Sequence, residues 1–313
     1  MKVTISGLSR AGAGVGTLPN GMKVFVSDTA PGDVVEISIE REEKTYAHGR
    51  LLHLVEPSRE RVVPRCEVFG RCGGCTWQHL PYELQWKTKF EGVQHALKRC
   101  SNGDLKPTLG WREFPASDPW NYRNRIQLHA RGGDGVSGHL QAALGFYARG
   151  SQELVPIRRC EITSEVINAK LPTIEKEISP GGHKVEVETT LQQGGEVRWT
   201  WDQKHAAHGF RQVNDSQNEQ LVDWISEQFL VAEAGSTLVD LFGGSGNLAR
   251  KLVGRYGRVV CVDTGPVIQP VAGIEYIRKP TLDWLRRQQQ QSGKQEKKFQ
   301  VDAILDPPRE GLK

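Results

Sequence analysis

Residues 238–247, which read LVDLFGGSGN, decide the fold of the C-terminal third of the chain. The apolar run has the length of a short buried strand, and the glycines after it predict a tight turn into a helix that continues to Leu252. A helical spacing of apolar residues precedes this strand at residues 217–229. Further short strands are predicted at residues 258–262, 274–277 and 301–305. Strands that alternate with helices predict a doubly wound parallel α/β sheet over residues 206–313.

The same glycine-rich stretch is a candidate ligand site. Glycines let the backbone approach a ligand closely, and a helix N-terminus offers free N–H groups. The second strand ends at Asp263, 16 residues after Asn247, where a carboxylate can bind a ribose diol. The loop lacks the Lys-Ser/Thr pair of a nucleoside triphosphate site and the third glycine of a dinucleotide fingerprint. This pattern favours the adenosine part of S-adenosylmethionine over NAD or ATP, although a simple connecting turn has the same sequence.

Residues 306–309, which read DPPR, follow the strand at residues 301–305 directly. An acidic residue at the carboxyl end of a parallel strand lies in the ligand crevice of such a sheet. The two prolines restrict the chain beyond Asp306. The motif therefore indicates a second acidic group at the ligand site, and a plain strand-ending turn is equally compatible with it.

The cysteines form the strongest local signal. Cys66, Cys72 and Cys75 lie close together in a glycine-rich stretch, and Cys160 is the natural candidate for a fourth ligand. Three close cysteines and one distant one are typical of an iron–sulfur cluster, whereas structural zinc more often shows two C-x₂-C pairs. Zinc and four unconnected thiols stay open as alternatives. Cys100 is not part of a group of cysteines in the sequence. Cys261 lies in an apolar strand and is predicted to pack in the core.

Length and composition limit the class of protein. At about 100–200 residues per domain, 313 residues make two or three domains. The hydrophobic share of 37% and the charged share of 25% exclude a disordered chain. No apolar run approaches the roughly 20 residues of a membrane-spanning helix, and the N-terminus lacks a signal peptide. We therefore expect a cytoplasmic protein.

The N-terminal and central parts differ in charge. Residues 1–57 are predicted to form a small β-barrel, with strands at residues 2–6, 23–26, 33–40 and 45–54. This module holds six basic and seven acidic residues, which gives no support to nucleic-acid binding there. Residues 58–205 hold 21 basic and 17 acidic residues. They are predicted to contain a helix at residues 82–98 and strands at residues 123–130, 142–148 and 183–190.

Basic and aromatic residues alternate in the central part. The basic residues are Arg123, Arg125, Arg131, Arg149, Arg158 and Arg159, and the aromatic ones are Tyr122, His129, Phe146 and Tyr147. Only Asp134 and Glu153 oppose them within this stretch of sequence. Such a segment could hold phosphates and stack bases, and the alternative is a solvated β-surface.

Several separated motifs make the chain resemble the RNA uracil-5 methyltransferase family, most closely its bacterial 23S ribosomal RNA members with a TRAM barrel and a 4Fe–4S cluster. The resemblance spans essentially the whole chain. It rests on YRNR at residues 122–125, GF at 145–146, ELVP at 153–156, FRQVN at 210–214, DLFGGSGN at 240–247 and DPPREG at 306–311. It implies a TRAM-like, OB-like β-barrel at residues 1–57. A central α+β iron–sulfur and RNA-binding domain would follow at residues 58–205, and an incomplete Rossmann-like class I methyltransferase domain at residues 206–313.

The resemblance also implies cofactors, partners and site residues. The cofactors are S-adenosylmethionine and a 4Fe–4S cluster, and the substrate is 23S rRNA, bound by a monomer with no membrane partner. The implied cofactor-binding residues are Gln212, Phe242, Asn247, Asp263 and Asp306, with one more contact expected at residues 278–283. The implied cluster ligands are Cys66, Cys72, Cys75 and Cys160.

The implied reaction methylates carbon 5 of uridine. Because that carbon is a poor nucleophile, a cysteine first adds to carbon 6, and a carboxylate base later removes the carbon-5 proton. In the family both groups lie downstream of the motif at Asp306, and the sequence ends at Lys313. We therefore expect a fragment that is inactive alone, with its last strand left as an edge. The alternative is a non-catalytic iron–sulfur RNA-binding protein with a vestigial methyltransferase half.

Overall fold

A computed structural model of the protein describes residues 1–100, 111–133, 142–190, 195–203, 209–229, 235–292, 301–308 and 311. The chain divides into two compact units. The first comprises Met1–Asn121 and Arg125–Asp202, and the second comprises Tyr122–Asn124 and Gln203–Lys313. Within the described residues, no helix is long and apolar enough to span a membrane.

A closed five-stranded barrel begins the first unit. Its strands are β1 (Lys2–Leu8), β2 (Gly14–Thr17), β3 (Lys23–Val26), β4 (Val34–Glu42) and β5 (Tyr46–Glu56), in the order β1-β2-β3-β5-β4. Alternate residues point inward, so that Val3, Ile5, Val24, Val26 and Ala47 are buried. The predicted barrel is confirmed, but the sequence pattern missed β2. Gly14 and Gly16 resemble turn residues, yet they are needed because a Cβ on Gly16 would lie 2.4 Å from Val3 Cγ1.

The rest of the first unit is an antiparallel sheet with helices. Helix α1 (Tyr82–Cys100) confirms the helix predicted at residues 82–98. The strands are β6 (Arg125–Gly132), β7 (Ala143–Tyr147), β8 (Leu154–Pro156), β9 (Gly181–Thr189) and β10 (Val197–Trp201), in the order β10-β9-β6-β7-β8. Two short helices, α2 (Glu165–Asn168) and α3 (Leu171–Glu175), pack Ile167 and Ile174 against the buried face of this sheet.

The second unit contains the predicted parallel sheet. Its elements are α4 (Asp215–Gln228), β11 (Thr237–Leu241), β12 (Arg258–Asp263), β13 (Ile274–Arg278), α5 (Thr281–Ser292) and β14 (Val301–Leu305). The four strands are all parallel, in the order β13-β12-β11-β14, so their carboxyl ends meet at one edge. Among the described strands, β14 forms an edge beside β11, as predicted.

The helix predicted from the glycine loop to Leu252 is wrong. This segment is a series of turns, with bonds from Gly246 N–H to Gly243 O and from Leu252 N–H to Ala249 O. Gly244 and Gly246 have φ values of 57° and 82°. Residues in the left-handed region cannot continue a right-handed helix, so the glycines that permit a close approach also prevent the helix.

Candidate cofactor site and cysteine cluster

Three carboxylates meet at the carboxyl edge of the parallel sheet. Asp240 lies in β11, Asp263 ends β12, and Asp306 follows β14. The charges of Asp306 and Asp263 both contribute to a raised pKa of Asp240, which places the three groups within electrostatic reach of one another. The edge that the sequence predicted as the ligand crevice therefore holds two predicted site residues and one further acid.

Asp263 is tied to the glycine loop by its own carboxylate. Gly244 N–H donates to its Oδ2 at 3.0 Å, and Gly265 N–H donates to its Oδ1 at 2.7 Å. A carboxylate has about four lone-pair sites, so each oxygen can still accept another donor such as a ribose hydroxyl. The N–H groups that a helix N-terminus would have offered to a ligand are replaced here by turns that orient Asp263.

Phe242 adopts an unusual backbone conformation at the start of this loop. Its φ is 62°, which is uncommon for a residue with a Cβ, and its N–H donates to Val262 O at 2.9 Å. Backbone strain of this kind clusters at ligand sites. The aromatic ring is half-buried against the apolar group that includes Val239 and Trp284.

Two predicted residues are held by amide networks. Asn247 exchanges hydrogen bonds with Asn218 of α4 at 3.0 and 2.7 Å. The backbone carbonyl oxygen of Gln212 accepts a hydrogen bond from Asn124 Nδ2 at 2.9 Å. Two residues further along the chain, Asn214 caps the N-terminus of α4. These bonds fix both segments relative to the helix that packs on the sheet. The further contact expected at residues 278–283 remains unassigned, although Arg278 lies opposite Asp263 in the β12–β13 register.

Asp240 was not among the predicted site residues. Its side chain is fully buried, and among the described residues no donor makes a hydrogen bond of normal geometry to either carboxylate oxygen, although the backbone N–H of Ala249 is near enough to stabilise the charge. Burial raises the pKa of Asp240 to about 7, with smaller contributions from Asp306 and Asp263. The sequence feature that could have identified Asp240 is a single acid inside the apolar run LVDL. Burial of a carboxylate is costly, and such residues mark functional sites.

Cys261 lies under the same loop. It is buried in the core, as predicted, with its Sγ 3.4 Å from Gly244 O. Burial raises the pKa of this thiol to about 12, with the charges of Asp240 and Asp263 adding to the effect. The thiolate is the nucleophilic form, so Cys261 is unsuited to covalent catalysis at neutral pH.

The four predicted cluster cysteines lie near one another in the first unit. The pKa of Cys75 is raised by burial and by the charges of Cys160, Cys72 and Cys66, and the other two clustered thiols show a similar coupling to Cys160. Gly74 N–H donates to Cys72 Sγ at 3.4 Å. Buried Asn168, which sequence reasoning missed, bonds both the N–H and the carbonyl of Cys160 at 2.9 and 3.1 Å.

The four thiols match the donor set of an iron–sulfur cluster, whose ligands are thiolates. The N–H donor to Cys72 Sγ suits a thiolate as well. Structural zinc also takes four cysteines. Within the described residues, no three His, Cys, Asp or Glu side chains are arranged so that they could hold a metal ion.

The predicted basic surface of the central part is only partly present. Arg125 is buried between Glu186, at 3.4 Å, and Glu188. Arg149 pairs with Asp28 at 2.8 Å. Partners far away in sequence therefore neutralise arginines that were expected to face RNA, and the expectation that only two acids oppose them is wrong.

The remaining members of that set are divided. Arg159 pairs with Glu161 at 2.9 Å and with Glu165, whereas Arg131 and Arg158 are exposed. His129 and Tyr147 stack on each other with ring centroids 3.6 Å apart. Asp134 lies outside the described residues. The exposed arginines remain the candidates for phosphate contacts.

Comparison with known proteins gives three findings. A TRAM domain matches residues 1–52. The chain is 30% identical to an uncharacterized RNA methyltransferase of Nitrosomonas europaea, over 99% of this chain and 80% of that protein. It is 28% identical to an uncharacterized RNA methyltransferase of Thermosynechococcus vestitus, over 99% of this chain and 83% of that protein.

A solved structure shares the fold. It is the crystal structure of Pyrococcus abyssi tRNA (uracil-54, C5)-methyltransferase in complex with S-adenosyl-L-homocysteine. The TM-score is 0.61 at 19% identity, and the match covers 100% of this chain and 85% of that chain. The relatives, the TRAM domain and the fold agree with the motifs of the sequence, and the chain belongs to the family of RNA methyltransferases that contains these relatives.

Proposed function

We propose that the chain binds S-adenosylmethionine at the carboxyl edge of its parallel sheet and serves to methylate carbon 5 of a uridine in RNA. The observation that carries this proposal is that Asp240, Asp263 and Asp306 lie at one edge of the sheet, with Asp263 bonded to the glycine turn and Asp240 fully buried. The solved neighbour was crystallised with S-adenosyl-L-homocysteine, which supports the choice of cofactor.

Each predicted residue has a role in this proposal. Asp263, oriented by two N–H donors, would accept the ribose hydroxyls. Phe242 offers a ring at the start of the glycine turn and Asn247 an amide group at its end, and Gln212 is assigned to the cofactor by the resemblance alone. Asp306, at the end of β14, would face both the cofactor and the target base. S-adenosylmethionine, when bound, supplies an electrophilic methyl group.

The chain's own residues would organise the crevice around the uracil. Activation of carbon 5 requires a thiolate that adds to carbon 6, and the high pKa of Cys261 excludes it from that role. We therefore place the nucleophile and the general base outside these 313 residues, as the resemblance implies. A target base has to leave its stack to enter such a crevice, which favours a loop over a duplex.

We propose two finer points on the same basis. The RNA is 23S ribosomal RNA, by resemblance to the bacterial members of the family. The four cysteines Cys66, Cys72, Cys75 and Cys160 hold a 4Fe–4S cluster whose role is to join their loops. We assign the cluster this structural role because its four cysteines come from loops of the first unit alone.

Cofactor binding is the direct test. Isothermal titration of the full chain with S-adenosyl-L-homocysteine should give saturable binding at one site. The loss of hydrogen bonds to a charged group costs about 1.5–3 kcal/mol, so Asp263→Ala should weaken binding by roughly 10- to 150-fold. Asp223→Ala, at an exposed position of α4 in the same unit, is the matched control. Equal affinities of both variants would refute the assignment of this site.

The RNA target has a separate test. The full-length product of the gene is incubated with tritiated S-adenosylmethionine and either 23S rRNA or tRNA transcripts. Label on 5-methyluridine of the 23S transcript alone would support the proposal. Label on the tRNA alone would contradict the ribosomal substrate while leaving the reaction intact, and label on another nucleoside would contradict the reaction.

A further inference from the structure

Glu161 follows Cys160 directly and pairs with arginines from two separate segments of the first unit. Arg65 Nε lies 2.8 Å from Glu161 Oε2, and Arg159 Nε donates to Glu161 Oε1 at 2.9 Å. Arg65 precedes Cys66 in the sequence, and Arg159 precedes Cys160. One carboxylate therefore joins the neighbours of two cysteines that lie far apart along the chain. The side chains of Glu161, Arg65 and Arg159 are here called the Glu161 clasp.

Each member of the Glu161 clasp is held by a further contact. The Glu161 side chain is only 14% exposed, and its backbone carbonyl accepts from Asn121 N–H at 3.0 Å. Arg159 Nη2 donates to Asn121 Oδ1 at 3.4 Å, and the Arg65 guanidinium lies 5.4 Å from the ring centroid of Trp120. Exposed ion pairs contribute little because two long side chains lose entropy and water competes with the pair. The extra contacts reduce that loss, so the clasp is stronger than an exposed pair.

The two cysteine segments also have internal hydrogen bonds, which do not join them to each other. Cys66 N–H donates to Gln78 Oε1 at 3.1 Å, within the segment that holds the first three cysteines. Cys160 exchanges bonds with Asn168, eight residues further along its own segment. Burial raises the pKa of Cys66, and the charges of Cys160 and Glu161 raise it further, which places these groups within electrostatic reach of one another. The internal bonds shape each segment, whereas the Glu161 clasp links the two.

We propose that Glu161 is a positioning residue for the cluster, because it holds the segment of Cys160 against the segment of Cys66 in the metal-free chain. The inference rests on the 4Fe–4S cluster of the proposed function. Glu161 is not a ligand in this proposal, and it acts on the cysteines through Arg65 and Arg159. Thiols that are already held together lose less conformational entropy when a shared group binds them. The Glu161 clasp should therefore favour insertion of the cluster and slow its release.

The rate of iron release from the full chain tests the proposal. The chain is reconstituted anaerobically with ferrous iron and sulfide, and the loss of its cluster absorbance is followed after an excess of chelator is added. Glu161→Ala should release iron roughly tenfold faster than the natural chain, which corresponds to about 1.4 kcal/mol. Glu165→Ala is the matched control, because Glu165 also pairs with Arg159 but lies in the same segment as Cys160. It should change the rate by less than about twofold, and equal rates for the two variants would overturn the proposal.

A conservative variant and a double variant separate positioning from a general loss of stability. Glu161→Gln keeps an oxygen that can accept from one arginine, so its release rate should lie between those of the natural chain and Glu161→Ala. Arg65→Met combined with Glu161→Ala should release iron no faster than Glu161→Ala alone, because both changes remove the same link. A double variant in which the two effects multiply would overturn the proposal. If Glu161→Ala loses its folded circular dichroism, Arg65→Met replaces it, because this change leaves the carboxylate paired with Arg159.

Hydrogen exchange of the metal-free chain tests the Glu161 clasp without the cluster. Glu161→Ala should speed exchange at residues 66–72 as well as at residues 158–163, whereas Glu165→Ala should affect only the second range. Faster exchange that is confined to residues 158–163 in Glu161→Ala would overturn the proposal. A natural chain that takes up no iron and sulfide but shows the linked exchange would refute the proposed cluster. A chain that holds the cluster but shows no linked exchange would refute the clasp alone.

Discussion

The buried acid Asp240 yields a quantitative prediction about stability. Its pKa is raised to about 7 from an ordinary value of 3.8, because burial penalises the carboxylate. Between these two pH values the folded state keeps a proton that the unfolded state has lost. Stability therefore falls as pH rises from about 4 to 7, by roughly 1.4 kcal/mol per pH unit, and is level above 7. Asp240→Asn removes this titration.

The expected size of this stability change follows from the pH interval over which Asp240 titrates. Between pH 5 and pH 8 the free energy of unfolding of the natural chain should fall relative to Asp240→Asn by about 3 kcal/mol, two pH units at roughly 1.4 kcal/mol each. Charges common to both proteins, including Asp263 and Asp306, largely cancel in this difference. The stability advantage of the variant should appear near neutral pH and diminish towards pH 4.

Hydrogen exchange measures this stability difference at the strand that contains Asp240. Amides of β11, followed by mass spectrometry and corrected for intrinsic exchange rates, report the opening free energy of the sheet that contains Asp240. Asp283→Asn serves as the control for the loss of an exposed carboxylate in the same unit. A constant difference between Asp240→Asn and the natural chain from pH 5 to pH 8 would refute the raised pKa of Asp240.

Three further predictions concern other parts of the chain. Arg125→Met should lower the free energy of unfolding by about 3–5 kcal/mol in urea titrations, because it leaves Glu186 and Glu188 buried without this partner; an effect no larger than that of exposed Arg131→Met would contradict the buried network. Anaerobically purified protein should contain iron and sulfide, about four of each per chain, and Cys160→Ser should lose both while Cys100→Ser keeps them; stoichiometric zinc instead would contradict the cluster. Gly246→Ala should destabilise the second unit by at least about 1 kcal/mol in thermal melts, since φ is 82° and a Cβ would lie 2.7 Å from Ile274 Cδ1; an unchanged melting temperature would show that the turn can relax.

Local sequence patterns predicted the elements that are defined by apolar periodicity. The strands at β12, β13 and β14 and the helices α1 and α4 follow directly from runs and spacings of apolar residues, and the parallel order follows from their alternation. The predicted acids Asp263 and Asp306 reach the same edge for the same reason. Parallel strands place their carboxyl ends at the same edge of a sheet, so this arrangement can be predicted without knowing any side-chain contact.

Features set by distant contacts could not be predicted in this way. The arginine at position 125 reads as a surface cation, and only the pairing of β6 with β9 reveals that Glu188 lies opposite it. The glycine loop reads as the start of a helix, but its left-handed glycines and the hydrogen bond from Gly244 to Asp263 are seen only in the structure. The role proposed for Asp240 depends on the complete burial of its side chain, which sequence spacing does not report.

The proposed function also predicts that cofactor binding depends on pH. S-adenosyl-L-homocysteine carries an ammonium group, and Asp240 is a buried acid at the edge of the sheet where we propose that this ligand binds. If that group pairs with the carboxylate, a proton must leave Asp240 whenever the ligand binds below pH 7. Affinity should then rise with pH up to about 7, by roughly 15-fold from pH 5.5 to pH 7, because the ionised fraction of a group with a pKa of about 7 rises by that factor. Isothermal titration across this range measures the dependence, and Asp240→Asn should bind more weakly with little change over the interval. An equally steep rise in the variant would place the titrating group elsewhere.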